Sequence, residues 1–292
     1  MLPGRDHASP DAPQPWLLAD SLTGGRRTLV PAAAIWLGTQ RDPAICTPTT
    51  GTSNGLAAAS DARTATARAL LELCERDAVL AWWWGGASAT TLDLLPGDIH
   101  RLCELVGDRT DAQGVVIHRV PGVPVVALVA RSRSRFALGC GAAGDLPTAT
   151  AHALREAAAG LVHETGSSTE VLSLPGSVTS LAARYSFYFP SGRIWDAFRT
   201  RLPSRMTGIK LASTGSRPSA VTPESLGRAL RDAGHRAFRV IVSSSNEFSV
   251  ARVVSDTLIP LNAHPCEQAV SAVGLIGSRR LADDRLHPHP VY

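Results

Sequence analysis

With 292 residues, 44% of them hydrophobic and 18% charged, the chain has material for a large α/β domain or two joined lobes, which excludes a wholly disordered polypeptide. The formal net charge is +4, but Lys210 is the only lysine, and no five or six basic residues stand together as a nucleic-acid footprint. No apolar run approaches the ~18 residues of a membrane span, and the N-terminus lacks the pattern of a secretory signal. A cytoplasmic protein with no nucleic-acid and no membrane partner is expected.

Residues 1–27, rich in Pro, Gly, Asp and Arg, read as a flexible lead-in, and residues 28–292 as one domain. Leu29–Leu37 reads as the first strand, followed by a polar loop over Thr39–Gly55. Ser60 and Asp61 offer an N-cap to a helix over Ala62–Trp83. After a turn between Gly85 and Asp98, Ile99–Val106 reads as helical. Gly114–Val120, Pro124–Ala130 and Arg135–Cys140 read as strands, the last two as a hairpin about Ser132–Ser134. Gly139, Gly141 and Gly144 read as a glycine loop leading to a helix over Thr148–His163. Further on, Pro223–Ala233 is a helix, Ala237–Ser244 and Phe248–Val254 are strands, and Pro265–Leu275 is a helix. The order helix, strand, strand occurs twice. It implies an α/β (α+β) fold of mixed sheets flanked by helices, with a pseudo-duplicated layout.

Several chemistries find no support. The cysteines (Cys46, Cys74, Cys103, Cys140 and Cys266) are scattered and form no CxxC pair, so neither a zinc knuckle nor a disulfide framework is indicated. Neither a P-loop nor a GxSxG elbow is present. Gly139–Gly144 fits GxGxxG, but no acidic residue about twenty positions on sits at the end of a second strand, so the glycines read as a turn.

Carboxylates on the helices are more informative. Glu72 and Glu75 are three residues apart and therefore share a helical face, with Cβ atoms about 5–6 Å apart. Arg76 stands at i,i+4 from Glu72, so an ordinary solvated ion pair accounts for part of this pattern. The apolar flanks Leu70, Leu71, Leu73, Val79 and Leu80 argue for partial burial, where Mg²⁺ with phosphate oxygens offsets the cost of burying carboxylates. Glu156, four residues after His152, is a third carboxylate, and an exposed His–Glu pair is its plainer reading.

The segments Thr49-Thr50-Gly51-Thr52-Ser53-Asn54-Gly55-Leu56-Ala57-Ala58 and Ala69-Leu70-Leu71-Glu72-Leu73-Cys74-Glu75-Arg76-Asp77-Ala78-Val79 resemble the YcaO family. The likeness extends over roughly residues 28–292, through Val123–Val126, Phe136–Gly141, Ala153–Ala158, Val250–Leu261 and the Pro-x-Pro ending. This resemblance implies an ATP- and Mg²⁺-dependent cyclodehydratase acting on a ribosomally made precursor peptide. A Cys, Ser or Thr side chain attacks the preceding backbone amide, whose oxygen is phosphorylated and leaves, giving thiazoline or oxazoline. It further implies Glu72, Glu75 and Glu156 as Mg²⁺ ligands, with Ser53, Asn54, Arg76 and Glu156 at the nucleotide and Pro288, Pro290 and Tyr292 in catalysis.

The chain also departs from the family pattern at Arg68, Ala149 and Ala159, and in ending Pro288-His289-Pro290-Val291-Tyr292. A degenerate, non-catalytic subunit that binds precursor peptide or scaffolds a modification complex is the alternative. Few residues precede the Thr49–Ala58 block, so the resemblance implies an E1-like peptide-docking partner, with a flavin dehydrogenase and homodimerisation as further expectations.

Overall fold

The computed structural model describes residues 15–36, 53–84, 87–163, 188–189, 192–203, 209–210 and 221–259. These fall into two units, one comprising residues 1–73 and 222–258, the other residues 74–221 and 259–292.

The first unit carries a five-stranded antiparallel sheet in the order β2-β1-β9-β10-β3. Its strands are β1 (Trp16–Ser21), β2 (Thr28–Pro31), β3 (Leu56–Ala59), β9 (Phe238–Ser244) and β10 (Ser249–Val254). β1 lies inside the segment read as a lead-in, because Leu17 and Ala19 supply apolar side chains to a core with Val30 and Ile35. The strand expected at Leu29–Leu37 is instead the short β2, followed by a helical turn, α1 (Ala32–Ile35). The N-terminal part of α2 (Ala62–Trp83) and all of α6 (Pro223–Asp232) complete this unit. Both helices are capped as their sequences dictate. The Thr64 N–H donates to Asp61 Oδ1 at 2.8 Å, and Thr222 with Ser225 forms a capping box.

The second unit has the order β7-β6-β5-β4-β8. Its strands are β4 (Ser88–Asp93), β5 (Asp111–His118), β6 (Val125–Ser132), β7 (Arg135–Ala142) and β8 (Ile209–Lys210), antiparallel except for the β4–β8 pair. Helices α3 (Pro96–Val106), α4 (Leu146–His163) and α5 (Arg193–Arg199) belong to it. The core joins Leu128 and Val126 of the sheet to Leu102 of α3 and Leu154 and Leu161 of α4, and each buried leucine contributes about 2 kcal/mol.

Gly139 and Gly141 are not a turn but interior residues of β7. A Cβ on Gly139 would lie 2.0 Å from the Ala153 carbonyl oxygen, and one on Gly141 2.3 Å from that of Ala149. The glycines let α4 lie directly on the strand, which a local sequence pattern does not reveal. Among the described residues no helix is long and apolar enough to cross a membrane. The helix expected at Pro265–Leu275 lies outside the described residues.

Candidate functional site

Three residues entering β3 organise the first unit's polar cluster. The Leu56 N–H donates to the Ser53 carbonyl at 2.9 Å, closing a turn with Gly55 at φ +75°. A Cβ on Gly55 would lie 2.3 Å from the Val253 carbonyl oxygen, so backbone conformation and space both demand glycine. The turn directs the Gly55 N–H to Glu72 Oε2 at 3.2 Å, while the Gly55 carbonyl accepts the Val253 N–H at 2.8 Å. Loop, α2 and β10 are thereby pinned to one another at the carboxylate of Glu72.

Arg252 belongs to the same cluster and was not singled out from the sequence. It is 5% exposed, and its Nε donates to the Ala34 carbonyl at 3.0 Å. Burial pulls its pKa down, and the Glu72 carboxylate opposes that shift. Among the described residues its Nη1 is buried with no hydrogen-bond partner, as is Oδ1 of Asn54, which is 8% exposed. Leaving such a group unmade costs about 1–3 kcal/mol, so both groups suit a ligand that completes the bonds. The sequence clue was a single arginine inside the apolar run Val250-Ala251-Arg252-Val253-Val254. Ser53 is exposed on the same turn.

In the second unit, Glu75 and Arg76 of α2 and Glu156 of α4 are gathered around Cys140 of β7. Glu156 Oε2 accepts the Cys140 N–H at 2.6 Å. Glu156 is exposed as a residue, yet the protein packed about its carboxyl raises its pKa above the ordinary carboxylate value; the Cys140 N–H and the Arg76 guanidinium oppose that rise. The Cys140 thiol is pushed well up by burial, then by Glu156 and Glu75, with Arg76 acting the other way. It is therefore an inert packing thiol. Glu72, Glu75 and Arg76 are all half-buried, as the apolar flanks of their helix lead one to expect.

Asp77, next in the same run, has a supporting role. It is fully buried, accepting Arg119 Nε at 2.9 Å and the Ile259 N–H at 2.8 Å. The residues that depart from the family pattern serve packing or surface. Arg68 donates to the Ala58 carbonyl at 3.0 Å, Ala149 is buried under β7, and Ala159 is exposed. Pro288, Pro290 and Tyr292 lie outside the described residues.

Among the described residues no three His, Cys, Asp or Glu side chains converge into a ready-made metal cage. Mg²⁺ characteristically takes one or two carboxylates and completes its shell with water and phosphate oxygens, a donor set that the half-buried glutamates suit. The unpartnered Arg252 N–H suits an anionic phosphate. An open hollow of about 620 Å³ in the second unit, lined in part by His118, Arg119, Gly144 and Asp145, contains none of the residues that the resemblance implies for metal, nucleotide or catalysis.

The model of a family described as YcaO cyclodehydratase, ATP- and Mg²⁺-binding, matches residues 4–258. No curated protein matches by sequence. Among solved structures, a heterocyclase in complex with substrate and cofactor superposes with a TM-score of 0.68 at 19% identity, covering 94% of this chain and 38% of that one. YcaO from Methanopyrus kandleri bound with AMPPCP and Mg²⁺ gives 0.59 at 20% identity, covering 94% and 67%. The E. coli microcin synthetase McbBCD complex gives 0.61 at 16% identity, covering 83% and 64%. The mixed α/β fold is that of the YcaO-type heterocyclases, although this chain spans under two fifths of the length of the first of them.

Proposed function

The chain belongs to the YcaO family, and we propose that it performs ATP- and Mg²⁺-dependent cyclodehydration of Cys, Ser or Thr in a ribosomally made precursor peptide, giving thiazoline or oxazoline. The observation that supports this reading is that, among the described residues, the buried Nη1 of Arg252, which feels the Glu72 carboxylate, and the buried Oδ1 of Asn54, next to the Gly55 that holds Glu72, have no hydrogen-bond partner. In this proposal Arg252 and Arg76 hold phosphate oxygens, and Glu72, Glu75 and Glu156 hold Mg²⁺. Ser53 and Asn54 position the nucleotide. ATP supplies a phosphoryl group that turns an amide oxygen into a leaving group, and Mg²⁺ neutralises its charge. The chain's own task is then to position groups and compensate charge, with the Gly55 N–H fixing the rotamer of Glu72.

Pro288, Pro290 and Tyr292 are proposed to act at the ring-forming step, and truncation before Pro288 should impair ring formation more than nucleotide binding. The precursor peptide, an E1-like docking protein and a flavin dehydrogenase are the proposed partners. That one structural relative is the E. coli microcin synthetase McbBCD complex with pro-MccB17 bound supports a peptide substrate and partner proteins.

The test is mass spectrometry of a Cys-, Ser- and Thr-rich precursor encoded near this chain, incubated with the protein, its docking partner, ATP and Mg²⁺. The proposal expects ATP-dependent loss of one water per ring. The altered positions Arg68, Ala149 and Ala159 favour a second reading, a subunit that binds peptide or scaffolds a complex without turnover. Nucleotide-independent peptide binding with no loss of water would select it.

A further inference from the structure

We propose that the outer face of the β1–β2 hairpin docks a peptide segment in which leucine-like residues are followed by acidic ones. Side chains alternate along β1, so Trp16, Leu18 and Asp20 share a face, and Leu29 of β2 stands directly opposite Leu18. Trp16, Leu18 and Leu29 are 51%, 56% and 59% exposed. Single exposed apolar side chains are ordinary, but three adjacent ones form a patch that calls for a partner.

Charge identifies the occupant. Beyond Leu18 the stripe reaches Asp20, which two arginines flank. Arg27 Nε and Arg239 Nη2 both reach Asp20, each at 2.8 Å. Arg26 is exposed beside Arg27, and Arg231 Nη1 of α6 reaches within 3.4 Å of the Cβ position of Gly24 in the β1–β2 turn. Among the described residues Arg27 and Arg239 pair with Asp20 and Arg231 with Asp232, and Arg26 is exposed, so these four guanidinium groups are paired with two carboxylates. An apolar end running into a cationic end complements a peptide that runs from leucine to glutamate or aspartate.

Strand addition is not the mode of binding. β2 is an edge strand of only four residues and ends in Pro31, so it offers little main-chain ladder to a partner. Recognition falls to the side chains, with the Arg forks meeting carboxylates and the Trp16 and Leu18 surface meeting apolar groups.

The surface is tested without nucleotide, so its failure is distinct from failure of the ATP chemistry. The probe is a short fluorescein-labelled peptide with leucines in its first half and glutamates in its second, followed by anisotropy with the full chain. We expect saturable binding that weakens as salt rises, and a loss of about tenfold or more in Arg27→Glu/Arg231→Glu and in Leu18→Ser/Leu29→Ser. Circular dichroism melts confirm that each variant is folded, and single substitutions replace any double variant that is not. Equal binding of a peptide with lysines for glutamates, or of one with serines for leucines, would overturn the proposal. So would tighter binding of a single-stranded oligonucleotide of similar length, or unchanged affinity in the folded variants.

Discussion

The backbone N–H of Gly55 donates to Glu72 Oε2 across 3.2 Å, joining the turn before β3 to a carboxylate in the middle of α2. The same glycine returns its carbonyl to the Val253 N–H, next to Arg252. One turn therefore sets the position of a carboxylate and of the strand that carries a buried cation.

Gly55→Ala should be costly for two reasons. The residue sits at φ +75°, and its new Cβ would lie 2.3 Å from the Val253 carbonyl oxygen. A destabilisation of about 2–4 kcal/mol is expected in urea unfolding, with nucleotide affinity reduced as Glu72 loses its anchor. Wild-type stability in this variant would show that β10 does not hold the turn.

Asp77→Ala removes the buried acceptor of both Arg119 and the Ile259 N–H. Breaking such a pair from one side leaves a cation and an amide unmet, so a loss of about 3–5 kcal/mol is expected by denaturant unfolding. Asp77→Asn retains an acceptor and should lose less. Equal losses would mean that the charge, and not a neutral acceptor, carries the interaction.

Glu156 gives a pH signature in metal-free buffer. Its folded pKa is raised above the unfolded value, chiefly by burial. The folded state therefore holds the proton more tightly than the unfolded state. The associated stability is fully present below the unfolded carboxylate pKa of about 4.3 and is lost as pH rises through the higher folded value. Glu156→Gln cannot titrate, so the stability of wild type relative to this variant should decline as pH rises through that window. A parallel pair of stability curves would contradict the assignment.

The sequence disclosed elements whose cause is local and hid those whose cause lies across the fold. Helix α2 occupies Ala62–Trp83, the span expected from Asp61 and the unbroken helix formers that follow. β3 is Leu-Ala-Ala-Ala, with no β-branched residue, and is a strand because it pairs with β10 from Arg252↔Leu56 to Ser249↔Ala59. β4 was read as part of a turn, and is drawn into the sheet by β5. β1 was concealed in a Pro- and Gly-rich opening; its hairpin partner β2 is close in sequence, but β9, which joins it to the rest of the sheet, lies more than two hundred residues away. The glutamates of α2 were legible from helical spacing. Arg252 was not, because its setting comes from Ala34 and Glu72, both remote in sequence.

Calorimetric titration with AMPPCP, with and without Mg²⁺, tests the central claim most directly. The account predicts Mg²⁺-dependent binding to wild type, abolished by Glu72→Ala, Glu75→Ala or Glu156→Ala and at least about tenfold weaker in Arg252→Met, with each variant folded. No binding by the wild-type chain, alone and beside its docking partner, would contradict it, as would undiminished binding by the folded glutamate variants.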